Sequence, residues 1–156
     1  MKYKPKEWLT FWLFSFSFLI TVGITFLDHF YLKISSFNYE IIFGFFFVGG
    51  ILLRLLCRIW LRRFFSINII IRKDHEIVKK GLYKYVRHPM YTSILLIFIG
   101  FAGVLSSILG IISTFVLILP TILIRIHREE YYLKKKTQER YEDYMKHTKK
   151  LIPFIY

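Results

Sequence analysis

The sequence predicts an all-α membrane protein of about four transmembrane helices, including a C-terminal helical hairpin, with a cytosolic interfacial helix after it. Three observations carry that reading. Trp8 to Leu27 is an uncharged run of 20 residues, about the length that crosses a hydrocarbon core. Pro89 to Ile124 is a second uncharged run, of 36 residues. Finally, 22 of the 23 lysines and arginines fall in the N-terminus, the Arg54–Arg87 segment and the segment after Ile124. Short basic loops are retained on the cytoplasmic side, so an even number of spans places all three there.

The first span is expected to be uncleaved, because its core is too long for a signal peptide and no small-residue cleavage site follows it before Asp28-His29. Asp28 to Glu40 reads as a short linker with Lys33 as its only base. The second span begins near Ile41. Ile41 through Leu53 is only 13 residues, so the helix must continue through Arg54 and Arg58 with their stems snorkelling. Arg54, Arg58 and Arg62 recur every four residues and share one helical face, where they suit a row of lipid-phosphate contacts. Gly44, Gly49 and Gly50 lie in the same span and suit close helix packing.

Phe64–Lys80 reads as a cytosolic loop with strand-like character around Ile67-Asn68-Ile69-Ile70-Ile71. The 36-residue run would make a helix of roughly 54 Å, so it must fold back on itself. Gly103, Ser106, Ser107 and Gly110 mark the expected turn. Pro120, in the second arm, is expected to kink the helix and free the Val116 carbonyl. After Arg125 the chain is polar and helix-prone to about His147. Tyr131, Tyr132, Tyr141 and Tyr144 stand there among many charges, as in a helix lying at the interface.

Residues 1–156 therefore form one predicted domain, with N-terminal spans in 1–60 and a loop, hairpin and C-terminal helix in 61–156. The hydrophobic fraction of 55% and mean hydropathy of +0.45 exclude an ordinary soluble domain, since the apolar residues come in long runs. A net charge of +13 points to anionic lipid rather than nucleic acid, because the bases flank those runs. The lone Cys57 excludes an internal disulfide and any multi-cysteine metal site. His75, His88, His127 and His147 share no ligand spacing on one helix, so no metal is expected.

Two charged groups flank the hairpin. Arg87-His88 stands at its entry, with Pro89 suited to a first helical turn. Arg125-Ile126-His127-Arg128-Glu129-Glu130 stands at its exit, with Arg125 and Glu129 one helical turn apart. A snorkelling arginine and an i, i+4 salt bridge would account for both groups. An active site assembled where the two meet is the other reading.

The ordered set Gly81-x-Tyr83-x-x-x-Arg87-His88-Pro89-x-Tyr91, an apolar hairpin, Arg125-x-x-x-Glu129-Glu130-x-x-Leu133, Tyr141-x-x-Tyr144 and Ile152-Pro153 resembles the isoprenylcysteine carboxyl methyltransferase family. Phospholipid N-methyltransferases share the broader pattern. The resemblance covers roughly Phe47–Pro153. It implies an integral-membrane enzyme using S-adenosylmethionine without a soluble dinucleotide fold. It also implies cofactor contacts at Asn68, His75, Glu76, Ile77, Val78, Tyr83, His88, Pro89, Met90 and Tyr91, with Glu129 as a cofactor-binding acid and Arg125 facing the methyl acceptor. A cation near His88 would meet the cofactor carboxylate, and Tyr83 and Tyr91 would line the adenine pocket. Two departures stand out: Leu82 replaces a frequent proline, and Lys136-Thr137 replaces a common Phe-Gly.

The implied acceptor is lipophilic, either a small molecule or a lipid-modified group, and offers a carboxylate, hydroxyl or amine. Two other readings remain at this point: a nicotinamide-dependent membrane reductase relative, and a non-enzymatic lipid-binding membrane protein. The oligomeric state is left open.

Overall fold

A computed structural model describes residues 8–34, 38–61, 81–137 and 139–153. Among the described residues the regular elements are all helical: α1 (Trp8–Leu27), α2 (Glu40–Leu61), α3 (Pro89–Val104), α4 (Ile108–Ser113), α5 (Leu119–Thr137) and α6 (Glu139–His147). The Phe64–Lys80 loop, with Asn68, His75, Glu76, Ile77 and Val78, lies outside them, as does Arg62.

Among the described residues, three helices are long and apolar enough to cross a membrane: Trp8–Leu32, Glu40–Leu61 and Ile108–Lys135. The chain is thus built as a multi-pass membrane protein. α3, at 16 residues, is shorter than these. It rises about 24 Å, less than a full ~30 Å core. Burial is inverted relative to a water-soluble protein. The buried residues of α1 are Thr10, Thr21 and Thr25, while Trp8, Phe16 and Leu19 are exposed. Lipid solvates apolar side chains as well as a core does, so the polar groups turn inward.

α2 continues past Arg54 and Arg58, as the snorkelling argument requires, and packs antiparallel along α3. Glycines set this approach, but they are not all the expected ones. A Cβ on Gly100 would lie 2.3 Å from the Phe47 backbone nitrogen, and one on Gly50 2.8 Å from Ile97. Among the described residues a Cβ on Gly44 or Gly49 would meet nothing within 4 Å, so neither sets this approach.

The hairpin turns where its small polar residues predict. α3 ends with the amides of Ser106 and Ser107 bonded back to the carbonyls of Gly103 (3.0 Å) and Ala102 (2.9 Å), a Schellman pattern. Ser106 takes the left-handed conformation (φ 50°) that glycine usually supplies. The Ser107 hydroxyl then caps α4 by accepting from the Gly110 amide at 2.9 Å. Asp28, buried at the end of α1, accepts from the Ser107 hydroxyl (2.7 Å) and the Leu109 amide (3.2 Å). That clamps α1 to the hairpin turn.

α4 and α5 form one continuous rod through a π-helical turn, Thr114–Ile118, which ends two residues before Pro120. The wider turn moves the backbone bonding off the register that Pro120 cannot serve. The core lies inside the splayed hairpin: Phe98, Ile118, Ile122, Ile126 and, from the far end of the chain, Leu151.

Candidate functional site

The two charged groups converge at the end of the hairpin opposite its turn. Pro89 opens α3 with His88 as the preceding cap residue, as expected of a proline whose missing N–H costs nothing there. One turn into α3, the Tyr91 ring packs against the Ile118–Ile122–Ile126–Leu151 cluster. That fixes its hydroxyl between two residues of α5. Arg125 Nε–H donates to it at 3.4 Å, and it donates to Glu129 Oε2 at 3.2 Å. The predicted pair Arg125 and Glu129 is therefore joined through a third residue, on the opposite arm of the hairpin.

His88 is buried between two carboxylates. Its Nδ1 is 3.9 Å from Glu129 Oε2, and its Nε2 is 3.3 Å from Glu130 Oε1. Arg87 Nε donates to the same Glu130 oxygen at 2.8 Å, and both side chains of that pair are nearly closed to solvent. Arg87 also donates to the carbonyls of Met145 (3.2 Å) and Thr148. Arg87 is thus committed inward, and it does not offer the cation near His88 that the sequence suggested for the cofactor carboxylate. Glu130, which sequence reasoning passed over in favour of Glu129, organises Arg87 and His88 together. The signal was present in the Glu129-Glu130 doublet: consecutive helical positions point about 100° apart, so the two carboxylates serve different partners.

The last described residues complete the frame. The Arg87 and His88 amides donate to the carbonyls of Lys149 (2.7 Å) and Lys150 (3.0 Å), and the Lys149 amide returns a bond to Tyr85 at 3.0 Å. Thr92 Oγ1 donates to the Leu151 carbonyl at 2.7 Å. These are largely backbone bonds, so no side-chain pattern announced them. Tyr141 and Tyr144, expected at a lipid interface, are buried instead, and Tyr144 donates its hydroxyl to the Tyr83 carbonyl. Tyr131 does stand exposed.

Tyr83 is buried, with its hydroxyl bonded to the Cys57 thiol of α2. Burial pushes its phenol above the usual range, and the neighbouring Cys57 and Glu129 add to the shift. Tyr141 moves the same way through burial and then Glu130 and Glu129, and burial takes Tyr144 up to about 12. All three stay neutral, so they are donors or walls rather than bases. Pro89 is buried and Met90 half-buried.

Arg54 departs from the expected lipid-facing row. Its Nη1 is closed to solvent and has no hydrogen-bond partner among the described residues. It stands one turn before Cys57 on the same face of α2, the side that meets Tyr83. A shielded N–H without an acceptor costs about 1–3 kcal/mol, and more on a cation.

Comparison with known proteins gives the same picture. The sequence profile of the isoprenylcysteine carboxyl methyltransferase (ICMT) family matches residues 41–135. Protein-S-isoprenylcysteine O-methyltransferase B of Arabidopsis thaliana is 31% identical over 108 residues, covering 68% of this chain and 55% of that protein. Protein-S-isoprenylcysteine O-methyltransferase of Schizosaccharomyces pombe is 32% identical over 83 residues, 53% of this chain and 35% of that protein. A probable protein-S-isoprenylcysteine O-methyltransferase of Oryza sativa subsp. indica is 27% identical over 89 residues, 57% of this chain and 47% of that protein. The matches thus span between about a third and just over half of those relatives' lengths. The matched span runs from the start of α2 through the Arg125–Glu130 group to near the end of α5, so the chain belongs to the isoprenylcysteine carboxyl methyltransferase family.

Proposed function

We propose that this chain is an integral-membrane methyltransferase that uses S-adenosylmethionine and acts on a lipophilic acceptor bearing a carboxylate, as the names of its relatives suggest for an S-prenylated cysteine. The observation that carries the reading is the convergence of Arg125, Tyr91 and Glu129 on one hydroxyl at the mouth of the hairpin. Lipid binding alone would need no such triad.

The donor set fits the cofactor. Glu129 is part-exposed, so its carboxylate can meet an ammonium or sulfonium group. The unpartnered Nη1 of Arg54 calls for an anion on the Tyr83 side of α2. When bound, S-adenosylmethionine supplies an electrophilic methyl group on a sulfonium. The chain's residues then hold and orient. Glu129 binds the cationic end, His88 and Pro89 shape the loop beside it, and Tyr91 spaces Glu129 from Arg125. Arg125 orients the acceptor carboxylate. An ionised carboxylate is already a nucleophile, so no general base is required. Positioning and exclusion of water do the rest. Asn68, His75, Glu76, Ile77 and Val78 belong to the same proposal as cofactor contacts, and a hydroxyl or amine acceptor is its wider form.

The proposal includes four spans, with α3 and the α4–α5 rod as the last two and both termini in the cytosol of a cell membrane. The segment after Ile124 would lie at the cytosolic surface. Residues 1–60 and 61–156 would work as one domain, with anionic lipid along the basic rim. S-adenosylmethionine then arrives from water and the acceptor from the bilayer.

The test is a titration of S-adenosylhomocysteine and, separately, NADPH into the purified protein in detergent, followed by transfer of labelled methyl to an S-prenylated cysteine. Binding of S-adenosylhomocysteine with methyl transfer is expected. Binding of NADPH alone would replace the reading with a reductase.

A further inference from the structure

We infer that the Tyr91 hydroxyl couples the two substrate sites, so that occupancy of one tightens the other. The inference rests on the proposed function, in which Glu129 meets the cofactor and Arg125 the acceptor. The geometry is a three-member chain across the hairpin: Arg125 Nε to Tyr91 Oη, 3.4 Å, and Tyr91 Oη to Glu129 Oε2, 3.2 Å. Arg125 and Glu129 come from α5 and Tyr91 from α3. A hydroxyl can accept and donate at once, which is what this position uses. Phenylalanine would pack equally well against Ile118, Ile122, Ile126 and Leu151, so the core does not explain the hydroxyl.

Both bonds are long for their type, and such contacts tighten when a ligand orders the site. A cofactor that fixes the Glu129 carboxylate fixes the direction of the Tyr91 O–H, and with it the lone pair that Arg125 meets. An acceptor that orders Arg125 acts in reverse. The second ligand therefore encounters a partner whose ordering has already been done. Linkage makes the effect reciprocal, with the same factor in either direction. Bonds in series also polarise one another, which favours the same sign.

Isothermal titration of S-adenosylhomocysteine into the full chain in detergent, with and without saturating S-prenylated N-acetylcysteine, measures the factor. S-adenosylhomocysteine lacks the sulfonium charge, so direct attraction between the two ligands is minimised. At least a fivefold tightening is expected in the unmodified protein, with the same factor when the order of addition is reversed. In Tyr91→Phe the coupling factor, measured against that variant's own affinity for each ligand alone, should fall below about twofold. No coupling in the unmodified protein, or coupling that survives Tyr91→Phe, overturns the inference while leaving the functional reading intact. Failure of the unmodified protein to bind S-adenosylhomocysteine overturns that reading, and the coupling with it.

Discussion

Arg87 and Glu130, 43 residues apart in sequence, form a buried ion pair with Arg87 Nε 2.8 Å from Glu130 Oε1. The same oxygen lies 3.3 Å from His88 Nε2. Removing one member leaves the other charge shielded and uncompensated. Glu130→Ala should therefore destabilise the folded protein by about 3–5 kcal/mol. Glu130→Gln should cost less, since it keeps an oxygen for Arg87. Thermal unfolding in detergent checks both; an Ala variant as stable as the parent would show the pair to be solvated.

Glu129 should behave differently, because it is the more open of the two carboxylates. Glu129→Gln is expected to weaken S-adenosylhomocysteine binding by about 1.5–3 kcal/mol, the worth of one charged hydrogen bond, with little change in stability. Equilibrium titration of folded protein measures it. Unchanged affinity would remove Glu129 from the cofactor site.

Arg125→Ala should abolish methyl transfer and leave cofactor affinity within about threefold. Arg125→Lys should restore only part of the activity, because an ammonium lacks the planar fork that matches a carboxylate. Full turnover in the Ala variant would take Arg125 out of the mechanism, and lost cofactor binding would move it into the cofactor pocket.

The helix-packing glycines separate cleanly. Gly100→Ala drives a methyl group against the α2 backbone at Phe47 and should destabilise the protein, since backbone cannot move aside as a side chain can. Gly44→Ala and Gly49→Ala enter open space and should be neutral, or stabilising by up to ~1 kcal/mol from helix propensity. Midpoints of thermal unfolding rank the three; equal effects would refute the close α2–α3 approach.

The proposed topology is open to cysteine labelling. Ser107 is fully buried and bonded to Asp28, so it is a poor reporter. Tyr31, at 84% exposed, is better placed. Tyr31→Cys should react from outside the cell and Lys146→Cys only after permeabilisation. The reverse pattern would invert the orientation.

What could be read from sequence was what charge and hydropathy determine. The hairpin turn at Ser106-Ser107, the helix start at Pro89 and the extension of α2 past Arg58 follow from where the polar groups stand. The convergence of His88, Tyr91, Arg125 and Glu129 was legible through the family motif and the folding-back of one long apolar run. Partnerships were not legible. Nothing in the spacing says that Arg87 turns to Glu130, because a snorkelling arginine and a buried one have the same letter. The Lys149–Leu151 contacts are made by backbone, which every sequence possesses. Tyr141 and Tyr144 misled because a tyrosine among charges suits an interface and a buried hydroxyl equally well.

The π-helical turn at Thr114–Ile118 has a consequence for alignment. It separates the end of the rod anchored by Asp28 from the end that carries Arg125 and Glu129. One residue more or fewer in a helix rotates everything beyond it by about 100°. The wide turn works as a vernier between a fixed mount and an aimed tool. Deleting a single residue from Thr114–Ile118 would leave the mount seated and swing Arg125 and Glu129 away from the Tyr91 hydroxyl. A chain altered in this way would keep the apolar length to insert, yet it would turn Ile122 and Ile126 out of the core together with its chemistry.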